Sequence, residues 1–164
     1  TLSSSSAASD VYKRQSMGSA VRRLIAVALM SVGSVSLADS VAQGSDEALA
    51  LSILKHLEVN GFRNSLRPRH YPDGTTLGQT PYRIYEKAAG AEGTYSAVDE
   101  EQSWVYSVRV MEQGKQGIAI CFVDQSLRGS YLAASPLRVE KNRAGHYVVV
   151  KELPKTPACR ITRG

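Results

Sequence analysis

The chain has 164 residues, of which 43% are hydrophobic, 21% charged and 7% aromatic; collagen-like, low-complexity and wholly disordered classes are excluded, because they lack the apolar content to bury a core. Its formal net charge is +5. Charges of both signs are interspersed over most of the sequence, which argues against a nucleic-acid partner, since such binders concentrate cationic surface to release counterions.

The first 15 residues, TLSSSSAASDVYKRQ, carry a serine run with no apolar periodicity and precede Met17 by two positions. The stretch resembles the conceptual translation of a sequencing adapter, so residues 1–16 are expected to be non-native, with Met17 the native start. From there Arg22 and Arg23, the mostly apolar run Leu24 to Val35 and then small residues reproduce the three-part layout of a secretory signal peptide over residues 17–42. Ser36-Leu37-Ala38 and Ser40-Val41-Ala42 both fit the cleavage pattern, giving a mature start at Asp39 or Gln43, with Gln43 preferred. Ser31, Gly33 and Ser34 interrupt the apolar run, which is shorter than the roughly 20 residues a spanning helix needs. No stable membrane insertion of the mature form is expected, and no cysteine at the cut suggests a lipid anchor. Arg22-Arg23 invites a twin-arginine reading, but a basic pair is ordinary in any export signal and the general route is preferred. The expected localisation is periplasmic or secreted. The remainder, residues 43–164, is one domain of about 122 residues, in which 16 Lys and Arg stand against 13 Asp and Glu, leaving +3.

The first element of this domain is a helix. Ser45 suits an N-cap, Asp46 and Glu47 suit the positive end of the helix dipole, and Asn60-Gly61 suits a stop. Ala50, Ile53, Leu54 and Leu57 follow the i, i+3, i+4, i+7 spacing of one buried face, so a helix of about 14 residues should lie across something flat. A loop runs from Phe62 to Pro81. Beyond it, apolar residues recur at every second position between Gly-rich or charged turns, the pattern of an antiparallel sheet with one buried face. Tyr82 to Lys87 and Thr94 to Val98 are the weaker strands. Ser103 to Glu112 is the clearest: Trp104, Tyr106, Val108 and Val110 share one face, and Val105, Ser107, Arg109 and Met111 the other. Gln113 to Gly117 reads as a hairpin link, followed by Ile118, Ile120 and Phe122. Tyr131, Ala133, Leu137 and Val139 mark the next strand, and Tyr147 to Val150 the last. Pro136 cannot donate to a ladder, which places its strand at an edge or puts a bulge there. The fold class is α+β, one N-terminal amphipathic helix packed on a four- to six-stranded antiparallel meander. At the level of topology alone this resembles the cystatin-like folds, which host inhibitors, carriers and enzymes alike.

Cys121 and Cys159 are the only cysteines. An even count in an exported chain reads as a disulfide, here with a forced pairing that ties a Pro-rich tail to a strand. Neither CxxC spacing nor a flanking His favours a metal or redox pair.

Gly61 to Thr76, GFRNSLRPRHYPDGTT, is the most unusual segment. Arg63, Arg67, Arg69 and His70 fall within eight residues, stiffened by Pro68 and Pro72, and Tyr71 adjoins them. Guanidinium groups present planar forks that match carboxylates and phosphates, so Arg63, Arg67, Arg69, His70 and Tyr71 form the candidate ligand-binding set. The bland alternative is that Arg63 and Arg67 pair with Glu58 or the Asp99-Glu100-Glu101 run. The segment Asp124 to Ser130 is sufficient as a turn. His56, His70 and His146 lack a second His or Cys at ligand spacing, no GxSxG elbow is present, and neither a metal nor a cofactor is expected. Three readings result. The preferred one is a non-enzymatic module that binds an acidic ligand or protein partner in the cell envelope. The second is an envelope hydrolase or transferase using His70 or His146 with Asp73 or Asp124. The third is a structural or stress-linked envelope protein with a flat apolar face.

Overall fold

A computed structural model describes residues 37–161, with side chains from residue 44 onward. Residues 1–16 and the expected leader as far as residue 36 lie outside the described residues. Helix α1 spans Leu37–His56, and six strands follow: β1 Ile84–Lys87, β2 Thr94–Val98, β3 Trp104–Gly114, β4 Gly117–Ser126, β5 Leu132–Lys141 and β6 Tyr147–Glu152. They form one antiparallel sheet in the order β1-β2-β3-β4-β5-β6. The α+β helix-on-meander architecture is therefore present, with the full complement of six strands.

The helix differs from expectation at both ends. It starts at Leu37 and runs through Ser45, because Leu, Ala and Gln propagate a helix well and one internal glycine, Gly44, costs only about 1 kcal/mol. Asp46 and Glu47 consequently sit inside the helix and reach across to strands. Asp46 Oδ1 accepts from Gln113 Nε2 at 2.6 Å, and Glu47 pairs with Lys87 at 2.6 Å. At the other end the helix stops at His56, short of Asn60-Gly61, because the next residues extend and bond to neighbouring chain. Glu58 N–H donates to Tyr147 O at 2.9 Å, Val59 N–H to Thr75 O at 3.0 Å, and Leu57 O accepts from Leu77 N–H at 2.8 Å.

Ala50, Ile53, Leu54 and Leu57 are all buried, as their spacing requires. They meet the inward face of the sheet, where Ala97, Tyr106, Val108, Ile120, Phe122, Leu137 and Val139 close the core. Full burial of one Leu or Ile is worth roughly 1.5–3 kcal/mol, so this stripe, three residues of α1 and Leu57 just past its end, is a principal source of stability. The alternation in β3 holds up to Val110, after which a bulge between Val110 and Glu112 shifts the register.

The outer face is not simply solvated. Val105, Ser107, Ala119, Cys121 and Pro136 are also buried, because the chain after β6 returns over this side. Cys121 and Cys159 are bonded there, with Sγ–Sγ 2.07 Å and Cα–Cα 5.2 Å, and Arg109 donates to Ala158 O. Pro136 lies in an interior strand, paired with Cys121, yet its missing donor harms nothing. Its carbonyl accepts from Leu153 N–H at 2.8 Å, beyond the last β5–β6 pair, Leu137 with Glu152. The amide nitrogen and carbonyl of a strand residue point to the same side, so the absent N–H falls where the β6 ladder has ended. The nearby bulge, between Arg138 and Val139, is two positions on.

Among the described residues no helix is long and apolar enough to cross a membrane.

Candidate functional site

The arginine-rich segment is a structured cover over one end of the sheet, the end where β3 begins and β4 finishes. Two apolar residues four apart plug it into the core: Phe62 packs edge-on against Phe122 with ring centroids 5.2 Å apart, and Leu66 is 1% exposed. The same four-residue spacing turns Arg63 and Arg67 outward, and both are exposed. Asn64 wires the turn between them. Its Nδ2 donates to Val59 O at 2.8 Å and Phe62 O at 3.2 Å, and its Oδ1 accepts from Leu66 N–H at 2.9 Å and Arg67 N–H at 3.1 Å. Arg67–Arg69 then forms one 3-10 turn, closed by His70 in the left-handed region at φ 50°. Downstream, Asn60 Nδ2 donates to Tyr71 O at 3.0 Å and Pro72 O at 3.1 Å.

A buried acid fastens this cover to the sheet. Asp124 is 2% exposed and faces Tyr106 across the β3–β4 ladder. Its carboxylate accepts from Ser65 N–H at 2.7 Å, Ser65 Oγ at 2.8 Å and Trp104 Nε1 at 2.6 Å. Ser65 Oγ also lies 2.6 Å from the Tyr106 hydroxyl. Burial holds the Tyr106 phenol well above the usual tyrosine value; the Ser65 hydrogen bond opposes this, and the negative charge of Asp124 reinforces it. Four residues from three separate segments, the cover, β3 and β4, thus satisfy one another beneath Arg63 and Arg67.

Above this network lies an open hollow of about 350 Å³, lined by Arg63, Asn64, Arg67, Pro68, His70 and Tyr131. Tyr131 is 47% exposed, and its ring is supported from below by Trp104, 5.4 Å away between centroids with the planes 34° apart. Partial burial and the charge of Asp124 raise the Tyr131 phenol, against the opposing pull of Arg63, so its hydroxyl stays protonated at neutral pH.

The five residues singled out from sequence divide into two groups. Arg63, Arg67 and His70 share the hollow. Arg69 and Tyr71 are not part of its lining: the Arg69 guanidinium lies over the Tyr82 ring at 5.4 Å, with Tyr82 itself buried. Partial burial works against the Arg69 charge, but the phenol oxygens of Tyr71 and Tyr82 more than offset it. Of the acids expected to neutralise Arg63 and Arg67, Glu58 and Asp99 are engaged elsewhere, and Glu100 and Glu101 form no ion pair with them. Glu58 accepts from Asn142 Nδ2 at 2.8 Å and meets His146 Nδ1 at 3.2 Å, and Asp99 accepts from Ser103 N–H and Oγ and from Trp104 N–H. Among the described residues the ion pairs are Lys87–Glu47 and His146–Glu58; neither exposed arginine of the hollow has an acidic partner.

No family model, curated protein or solved structure matches this chain.

The His/carboxylate pairs of the enzymatic reading do not form as named. His146 meets Glu58 in place of Asp73 or Asp124, Asp73 accepts from Asn60, and Asp124 is enclosed by Ser65 and Trp104. His56 Nδ1 lies 2.9 Å from Ser52 O within its own helix. Among the described residues no three His, Cys, Asp or Glu gather where they could hold a metal ion. Tyr131, Trp104 and Asp124 line or brace the hollow without belonging to the candidate ligand-binding set read from sequence. Asp124 had a usable signal, since it continues the alternation Ile118, Ile120, Phe122 onto the buried face.

Proposed function

We propose that this chain is a non-enzymatic binding module that takes an acidic ligand in the hollow formed by Arg63, Arg67 and His70. The observation that carries the reading is the isolation of the two arginines: they stand four residues apart on a braced turn, and among the described residues no acid pairs with them, while Glu58 and Asp99 serve other donors. The guanidinium groups are exposed and free of acids among the described residues, and the Asn64-braced turn fixes the spacing of the main-chain positions that carry them, so they can fork a carboxylate or phosphate without first breaking an internal pair. The buried Cys121–Cys159 bond fits an oxidising compartment, and we place the module in the periplasm or outside the cell, exported by the leader in residues 17–42. Cleavage before Gln43 would remove the first six residues of α1 and leave its buried stripe intact.

The reading is tested by titrating the protein with inorganic phosphate, citrate and triglutamate at low salt and following the Arg Nε–H and loop amide resonances. Perturbations centred on residues 63–70 and weakened by added salt are expected, and Arg63→Ala/Arg67→Ala should abolish them. Anions that leave those resonances unmoved overturn the reading. Fractionation of cells expressing residues 17–164, with N-terminal sequencing of the product, tests the localisation: a cytoplasmic, unprocessed chain rejects export.

A further inference from the structure

We infer that the ligand of this hollow is an acidic saccharide, a sugar carrying a carboxylate such as a uronate, with its ring seated on Tyr131 and its carboxylate on Arg63 and Arg67. The inference rests on the anion-binding reading above and adds the ring. Tyr131 is a large side chain left 47% exposed at the rim of the same hollow as both arginines. It is not a loose surface ring. Trp104 supports it, Trp104 is itself fixed through its indole N–H to Asp124, and Ser126 N–H donates to Tyr131 O at 3.0 Å, closing the loop that carries it. The face of an aromatic ring is electron-rich, and the C–H groups on one side of a pyranose ring present the complementary positive edge. Hydroxyls at the margin of such a ring can be met by the neutral Tyr131 phenol and by His70.

The alternatives find fewer partners here. An acidic peptide could place a side-chain carboxylate on the same arginines, but the N–H groups that would hold its main chain beside them are engaged: Leu66 and Arg67 N–H with Asn64 Oδ1, Arg69 N–H with Leu66 O and His70 N–H with Arg67 O. A nucleotide could stack on Tyr131, but reading its base edge needs a free amide or main-chain pair, and both ends of the Asn64 amide are occupied. What the hollow presents is charge, one ring face and hydroxyl-scale donors, in an open shape that admits a chain of sugars passing across it.

The experiment titrates the full chain, disulfide closed, with trigalacturonate, neutral maltotriose, triglutamate and AMP by isothermal calorimetry and amide chemical shifts. Trigalacturonate is expected to bind at least tenfold more tightly than each of the other three. Tyr131→Ala should weaken it about tenfold while leaving the response to inorganic phosphate unchanged, Tyr131→Phe should retain most of the affinity, and Arg63→Ala/Arg67→Ala should abolish binding of both. A thermal melt of each variant confirms that it is folded. Equal binding of triglutamate or AMP, or an unaffected Tyr131→Ala, overturns the saccharide inference and leaves the anion-binding reading standing. Failure of every anion, phosphate included, overturns both.

Discussion

Asp124 and Ser65 are 59 positions apart in sequence, and the carboxylate of one accepts both the main-chain N–H and the hydroxyl of the other. This contact binds the last part of β4 to the midpoint between Arg63 and Arg67. Asp124→Ala would leave Ser65 N–H and Trp104 Nε1 facing a small void without an acceptor, and Ser65 Oγ with only the Tyr106 hydroxyl as partner. A loss of about 2–4 kcal/mol is expected, from unsatisfied buried donors and the lost charge-assisted bonds. Urea denaturation should read this as a lower midpoint with an unchanged slope. Hydrogen exchange should show the amides of Ser65 to Arg67 opening before those of β3. An Asp124→Ala protein of wild-type stability would mean that the arginine cover is held by Phe62 and Leu66 alone.

The same pair shows what was readable in advance. Period-two alternation placed β2 at Thr94–Val98 and the apolar residues of β3 up to Val110 on the correct face, because one buried side makes a one-residue slip costly. Carried two residues past Phe122, the same alternation reaches the buried position of Asp124, but an acid there reads as a turn residue unless its donors are known, and these come from residues 65 and 104. Phe62 and Leu66 were equally ambiguous, since two apolar residues inside a basic, Pro-containing stretch do not establish a period. The direction of Arg69 depended on Tyr82, a buried ring no local rule connects to it. The helix start was missed for a different reason: Ser45 has the chemistry of a cap, but a cap forms only if the preceding residues leave the helix, and here they continue it.

Tyr106 gives a pH-dependent consequence. Burial and the nearby Asp124 charge raise its phenol above the ordinary value of about 10. A raised folded-state value means that its contribution to stability is fully present below about pH 10 and is lost as pH rises from there toward the folded value. Base titration followed by phenolate absorbance should show one tyrosine that ionises only as the protein unfolds, and Tyr106→Phe should remove that late step. Tyr106→Phe also deletes the hydroxyl beside Ser65 Oγ, at an expected cost of about 1 kcal/mol at neutral pH. A late step that persists in Tyr106→Phe would assign it to another ring.

Gly117 closes the tight turn between β3 and β4, paired with Gly114, at φ +96°. A Cβ there would stand 2.7 Å from Val139 O and 2.9 Å from Glu140 Cγ. The glutamate side chain can move aside, but the carbonyl belongs to the β4–β5 ladder. Gly117→Ala should therefore destabilise by about 1–3 kcal/mol, combining backbone strain with overpacking. Gly114→Ala, where no atom crowds the added Cβ, should cost less than half as much in a paired thermal melt. Equal losses would show that turn entropy, not the close approach to Val139, sets the requirement.

The disulfide holds the C-terminal tail against the outer face of the sheet, closing a sequence separation of 38 residues. On the chain-entropy model such a loop is worth about 4 kcal/mol. For a domain of this size that is a large share of the total stability, which is commonly about 5–15 kcal/mol. Intact mass under denaturing, non-reducing conditions should lack two hydrogens relative to the reduced chain. Cys121→Ser/Cys159→Ser should lower the urea midpoint by the corresponding amount and raise hydrogen exchange at Leu153 and Cys159, whose N–H groups bond to Pro136 O and Thr156 O. The Arg63–Arg67 cover lies on the opposite side of the sheet and is braced through Asp124 and Ser65, so its amide exchange should change only by the global loss of stability. Selective opening of residues 63–70 in the serine variant would reveal coupling between the two faces, through β4, which carries both Cys121 and Asp124.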